Sequence, residues 1–112
     1  VTGPLFQVQH HGTDRLRLVG SLDLSGAAQA RAAVTDRFTG GSDRIIIDLW
    51  DLRFCDCAGL NVLLEAKVTA DMLAIELCVE GARAQVARLF ALTGADEVLL
   101  THSVTRLPPR TS

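Results

Sequence analysis

The stretch Arg44-Ile45-Ile46-Ile47-Asp48-Leu49-Trp50-Asp51-Leu52-Arg53-Phe54-Cys55-Asp56-Cys57-Ala58-Gly59-Leu60 decides the fold. The β-branched run Ile45-Ile46-Ile47 is apolar on both sides of a strand running from Arg44 to Leu49, the pattern of a central strand covered on each face. The chain then passes two acids and Trp50 and enters a turn, Phe54 to Leu60. Beyond the turn, Leu60, Leu63, Leu64 and Val68 recur at i, i+3, i+4 and i+8, with Asn61 and Glu65 on another face. This spacing predicts a helix from about Ala58 to Ala70 whose apolar stripe packs on the sheet.

On the N-terminal side, Phe6 and Val8 alternate with Gln7 and Gln9, His11-Gly-Thr-Asp14 reads as a turn, and Arg15 to Val19 alternates again, which predicts a β-hairpin. Ala30, Val34 and Phe38 stand four apart in an Ala-rich segment from Ala27 to Phe38, so a helix follows, with Ser25 available as its N-cap and Thr39-Gly-Gly-Ser-Asp43 as its stop. On the C-terminal side, alternation from Leu73 to Val79 predicts a strand, and Ala82 to Thr93 predicts a helix with Val86, Leu89 and Phe90 inward and Gly94 as its stop. A last short strand is expected over Val98 to Thr101. The two prolines of Arg106-Leu-Pro-Pro-Arg-Thr-Ser112 lack amide donors and predict a flexible tail. The order β-β-α-β-α-β-α-β implies an α/β fold, a mixed sheet of four to five strands with helices packed mainly on one face. One domain is expected over 1–112, with an ordered core over about 5–101.

Composition narrows the function. The 112 residues carry a formal charge of −2 and 4% aromatics, which argues against both a basic phosphate-binding footprint and a stacking platform for single-stranded nucleic acid. No apolar run reaches the ~18 residues of a membrane span, and no basic segment followed by an apolar signal core opens the chain, so a cytoplasmic protein without membrane insertion is expected. Cys55, Cys57 and Cys78 form an odd set that fits reduced thiols better than a disulfide framework. Cys55-x-Cys57 lacks a second ligand pair at zinc spacing, since His10, His11 and His102 lie far away in sequence, so no metal and no cofactor is expected. Gly-rich phosphate loops, nucleophile elbows and His-Glu-x-x-His pairs are missing from the sequence, which argues against an enzyme.

The residues that could carry function gather at the turn. Asp56, Cys57 and Ala58 fall at the N-terminus of a helix, where free N–H groups and the macrodipole favour a negative charge, and Asp56 is suited to cap them. A thiol at such a terminus can be activated, which makes Cys57 the redox candidate, whereas Cys55 alternates to the other side and is expected to be buried. Trp50 reads either as an exposed interface anchor or as a packed cover for the hairpin. Asp48, Asp51 and Asp56 are separated by strand alternation and read as solvated strand-end acids.

Two motifs give the chain a resemblance that extends over almost all of it, up to Leu100. Asp56-Cys57-Ala58-Gly59-Leu60 is similar to the Asp-Ser-Ser-Gly-Leu signature of the STAS family (sulfate transporter and anti-sigma factor antagonist domains), and Gly20-Ser-Leu-Asp-Leu24 is similar to that family's Gly-Glu-Leu-Asp element. The resemblance implies a non-enzymatic anti-sigma factor antagonist that docks an anti-sigma factor, usually a serine kinase of the histidine-kinase-like type, through Asp23, Asp56, Cys57, Ala58, Gly59 and Leu60. A homodimer is a further assembly in view. In regulatory members the second Ser or Thr of the signature accepts a phosphate. Ala58 stands there in this chain and has no hydroxyl, which implies a constitutive or differently regulated antagonist. The alternative is a STAS scaffold or small-ligand module of a larger signalling or transport assembly.

Overall fold

The computed structural model describes residues 6–99, in the order β1 (Phe6–His11), β2 (Arg15–Leu22), α1 (Leu24–Phe38), β3 (Arg44–Asp48), β4 (Leu52–Cys55), α2 (Cys57–Met72), β5 (Glu76–Glu80), α3 (Ala84–Thr93) and α4 (Ala95–Leu99). The hairpin forms as expected. β1 and β2 pair antiparallel from Phe6↔Gly20 to His11↔Arg15, turning through Gly12 at φ 73°, a left-handed angle that glycine adopts without cost. β3 joins β2 in parallel and β5 joins β3 in parallel, so the isoleucine strand is central.

Both of its faces are covered, each in a different way. Ile45 and Ile47 enter the core, while Ile46 is buried outside it, in register with Arg15 and Cys78. On that side lie the ion pairs of Arg15 with Asp48 (3.4 Å) and Glu80 (3.8 Å), and of Arg17 with Asp48 (3.5 Å) and Asp51 (3.4 Å). The long arginine stems cover apolar surface on this side, and the two side chains stay about one-third exposed, at 35% and 36%. Asp48 is therefore no solvated acid: it is 8% exposed, and its Oδ1 also accepts the Trp50 N–H at 2.9 Å.

β4 is an element the sequence pattern did not announce. Gly20 pairs with Phe6 on one side and Leu52 on the other, and Leu22 pairs with Cys55, so β4 takes over β3's place beside the second half of β2. The chain steps between the two strands through Leu49–Asp51, where Leu52 N–H donates to the Leu49 carbonyl at 3.0 Å and Gly20 N–H to the Asp51 carbonyl at 3.1 Å.

The helices form where periodicity places them, with corrected ends. Asp23, not Ser25, caps α1, its Oδ1 accepting the Ser25 N–H at 3.0 Å. α2 buries Leu60, Val62, Leu63, Ala66, Lys67 and Ala70, because it packs on the sheet with α1 and α4 also against it. Val68 lies about 100° around the helix from Lys67 and is 58% exposed, so it leaves the expected stripe. β5 starts at Glu76 and not at Leu73, because α2 runs on to Met72 and closes in a Schellman turn: Ile75 N–H donates to the Ala70 carbonyl at 2.8 Å and Ala74 N–H to the Asp71 carbonyl at 3.2 Å, with Ala74 at φ 58°. Gly94, at φ 80°, stops α3 as expected. The predicted last strand is corrected over Val98 and Leu99, which belong to α4; Asp96 and Glu97 in its first turn complement the helix dipole. Leu100, Thr101 and the expected tail over 106–112 lie outside the described residues.

Candidate functional site

β2 and β4 run parallel and end in register at Leu22 and Cys55. The next residue of each is the aspartate that caps the following helix, so Asp23 and Asp56 sit side by side at one end of the sheet, tied by the Asp56 N–H donating to the Leu22 carbonyl at 3.2 Å. Asp56 Oδ1 accepts the Gly59 N–H at 3.0 Å. Asp23 Oδ1 accepts from the Ser25 N–H and, at 2.6 Å, from the Ser25 hydroxyl, and that hydroxyl is the main reason its carboxyl is held below the usual range. Both helix termini thus carry their negative charge on built-in carboxylates.

Of the residues expected to face a partner, Cys57 is exposed and Ala58, Asp56 and Asp23 are half-exposed. Gly59 and Leu60 are buried in the free domain. The reason is close packing: a Cβ at position 59 would stand 2.6 Å from the Leu22 carbonyl oxygen and 2.9 Å from Cys55 Sγ. Glycine here lets α2 start directly against β2, which puts Leu60 into the core.

The cysteines separate as expected in burial. Cys55 is fully buried, and burial, reinforced by the charge of Asp56, pushes its thiol up to about 12; burial also raises Cys78. Cys57 is the exposed thiol. Trp50 is 56% exposed and stacks on the Arg83 guanidinium, 4.3 Å from its ring centroid, while Arg83 Nε donates to the Trp50 carbonyl at 2.8 Å.

Between α1 and α2 lies a crevice of about 120 Å³ lined by Val34, Phe38, Val62 and Ala66 and bridged by the 3.0 Å Arg31–Glu65 ion pair. Pockets for drug-sized ligands measure about 300–1,000 Å³. The larger hollows, about 470 and about 320 Å³, are each lined by a single helix, α1 and α2 respectively. None of the three is an enclosed chamber. Among the described residues no helix is long and apolar enough to cross a membrane.

A mixed sheet with two aspartate-capped helices opening side by side defines a class of α/β domain, and comparison with known families gives it a name. The family described as Mlab, STAS domain, matches residues 6–101, and the chain belongs to the STAS-domain family. Comparison with curated proteins gives no match. Among solved structures, the anti-sigma factor antagonist SpoIIAA in its unphosphorylated form is similar with a TM-score of 0.69 at 19% identity, covering 91% of this chain and 95% of that one. An anti-sigma factor antagonist from Mycobacterium paratuberculosis gives 0.67 at 20% identity, over 84% and 80% of the two chains. The phosphorylated form of Bacillus SpoIIAA, a cell fate determinant, gives 0.63 at 18% identity, over 92% and 99%. At these identities the likeness establishes a shared fold.

Proposed function

We propose that this domain is a non-enzymatic anti-sigma factor antagonist that docks an anti-sigma factor, a serine kinase of the histidine-kinase-like type, on the surface formed by Asp23, Asp56, Cys57 and Ala58. The supporting observation is the adjacency of the two capping aspartates at the ends of paired strands, with Cys57 and Ala58 accessible beside them. Gly59 and Leu60 support this surface from below. Similar folds belong to antagonists, one of them solved with and without its phosphate. In this chain Ala58 has no oxygen to phosphorylate, so the antagonist stays in its binding form.

Ala58→Glu tests the docking surface by placing a permanent charge at the phosphate position, in a first helical turn that tolerates it. Affinity for the kinase, read by calorimetry, should fall at least tenfold with an unchanged circular dichroism spectrum; unchanged affinity rejects the surface. In the same preparation, labelled ATP and the kinase should leave the natural chain unlabelled and label Ala58→Ser. Stoichiometric label on the natural chain, mapped to another Ser or Thr, means that the switch has moved.

The missing hydroxyl also favours a second reading, a permanent STAS subunit of a larger signalling or transport assembly, which needs no cycle of release. Co-purification from native lysate with transporter or scaffold subunits, and not with a kinase, selects it. A thiol input at Cys57 is compatible with either reading, because this is the exposed cysteine and it adjoins position 58. Peroxide titration with peptide mapping should modify Cys57 before Cys78 and Cys55 and alter partner binding; equal modification of all three removes that input.

A further inference from the structure

We infer that Gln85 is a positioning residue for the Asp56–Gly59 turn, its side-chain amide standing in for a strand that β4 lacks and latching β4 to α3. β3 is flanked by β2 and β5, but β5 ends at Glu80 opposite Asp48. When the chain resumes as β4, it has β2 on one side and no described strand on the other. Backbone groups on such an edge need partners. At Cys55, the last residue of β4, the N–H donates to Gln85 Oε1 at 2.8 Å and Gln85 Nε2 donates to the Cys55 carbonyl at 2.9 Å. A primary amide offers the same donor and acceptor as a peptide unit, so both backbone groups of one residue are satisfied by one side chain.

The start of α3 is built around this contact. α3 has no side-chain cap of its own. The two residues that flank its first position reach instead to the β3–β4 segment, Arg83 to the Trp50 carbonyl and Gln85 to Cys55. Ala84 between them has φ 49°, a left-handed conformation that costs a residue with a Cβ and persists where its surroundings fix it. The anchors on either side supply that constraint.

The latch bears on the site because Cys55 is in contact with both ends of the turn. Asp56 follows it directly, and its sulfur lies where a side chain at Gly59 would be. Fixing Cys55 therefore fixes the cap and the first turn of α2. The consequence for partner binding rests on the docking reading above; the consequence for the turn does not.

The test uses the full chain with Gln85→Leu, which removes both bonds at similar volume, and Gln85→Glu, which keeps an acceptor for the Cys55 N–H and loses the donor to its carbonyl. Amide hydrogen exchange at Cys55 and its alkylation by N-ethylmaleimide should each rise at least tenfold in Gln85→Leu and less in Gln85→Glu, with Cys57 alkylation and the exchange of Leu16 and Ile47 unchanged. Natural rates at Cys55 in both variants overturn the latch. An equal rise at Leu16 and Ile47 also overturns it, because Gln85 then supports the whole domain and not the turn. Affinity for the kinase, measured beside Ala58→Glu, gives the second arm. It should fall in both variants; loss in Ala58→Glu alone keeps the docking surface and overturns positioning for binding. Normal affinity in Ala58→Glu and in the two Gln85 variants alike rejects the docking reading, and the exchange result at Cys55 then decides the latch by itself.

Discussion

Helix α1 opens on Asp23-Leu24-Ser25-Gly26 and helix α2 on Asp56-Cys57-Ala58-Gly59, two Asp-x-x-Gly turns following paired parallel strands. The local chemistry is shared: an extended aspartate at the N-cap accepts from an early helical N–H. The surroundings are not. Asp23 bonds the second helical residue and its hydroxyl, while Asp56 bonds the third and has no hydroxyl neighbour. A Cβ at Gly26 would meet the Phe6 side chain at 3.0–3.3 Å, whereas one at Gly59 would meet the Leu22 backbone oxygen at 2.6 Å. The preceding strand is also treated differently, since the last residue of β4 is held by Gln85. Equivalent capping sequences thus give equivalent helix starts, and tertiary contact decides which is more closely packed. The more closely packed one is the terminus at which the family signature places its phosphate and this chain places alanine.

The largest effect that separates the two termini should come from alanine at each glycine. Gly59→Ala forces a carbon onto a backbone oxygen that cannot rotate away, so α2 must lift from β2; a loss of about 3 kcal/mol is expected, at the upper end of overpacking costs. Gly26→Ala presses on a side chain, Phe6, which can shift by a few tenths of an ångström where a backbone oxygen cannot, and alanine's better helix propensity returns about 1 kcal/mol, so the net change should stay within about 1 kcal/mol. Urea unfolding of both variants measures this. Equal midpoints would mean that the termini are equally locked and that the contrast is one of chemistry alone.

Much of the fold was legible because its elements carry a period. β1, β2, β3 and the end of β5 alternate or run apolar, and α1, α2 and α3 repeat at helical spacing. β4 was not legible: its four residues run buried, exposed, exposed, buried, which is no alternation, and a register shift between Gly20 and Ser21 on its partner accompanies it. Val98 and Leu99 misled in the other direction, since a short apolar run at the end of the chain's periodic region reads as a strand until Gly94 and the acids at 96 and 97 are seen to restart a helix. Within the candidate site, Asp56 and Cys57 were legible from capping and helix-terminus chemistry, and Asp23 from the family motif alone, since the capping pattern pointed to Ser25. The burial of Gly59 and Leu60 was not, because it depends on how closely α2 approaches Leu22. Gln85 left no trace in the sequence pattern; a single amide at a helix start carries no period, and its partner Cys55 lies 30 residues away in a strand that was itself unannounced.

The smallest effect lies at Asp23 and comes through pH. The Ser25 hydroxyl, donating at 2.6 Å, is the main reason that this carboxyl is held below the ordinary aspartate value, so the folded chain binds the Asp23 proton more weakly than the unfolded chain does. Its stabilisation is accordingly complete above the unfolded-state value and is lost as pH falls through the lowered folded value. Solvent screening at this surface position keeps the effect small. Ser25→Ala removes the hydroxyl and leaves the backbone bond from residue 25, so the Asp23 midpoint, followed by the NMR shift of its carboxyl carbon, should move up toward that of an unfolded peptide. Stability below that range should then fall less steeply with pH than in the natural chain. A midpoint that ignores the substitution would assign the α1 cap to backbone donors alone, as at Asp56, and erase the chemical difference between the two termini.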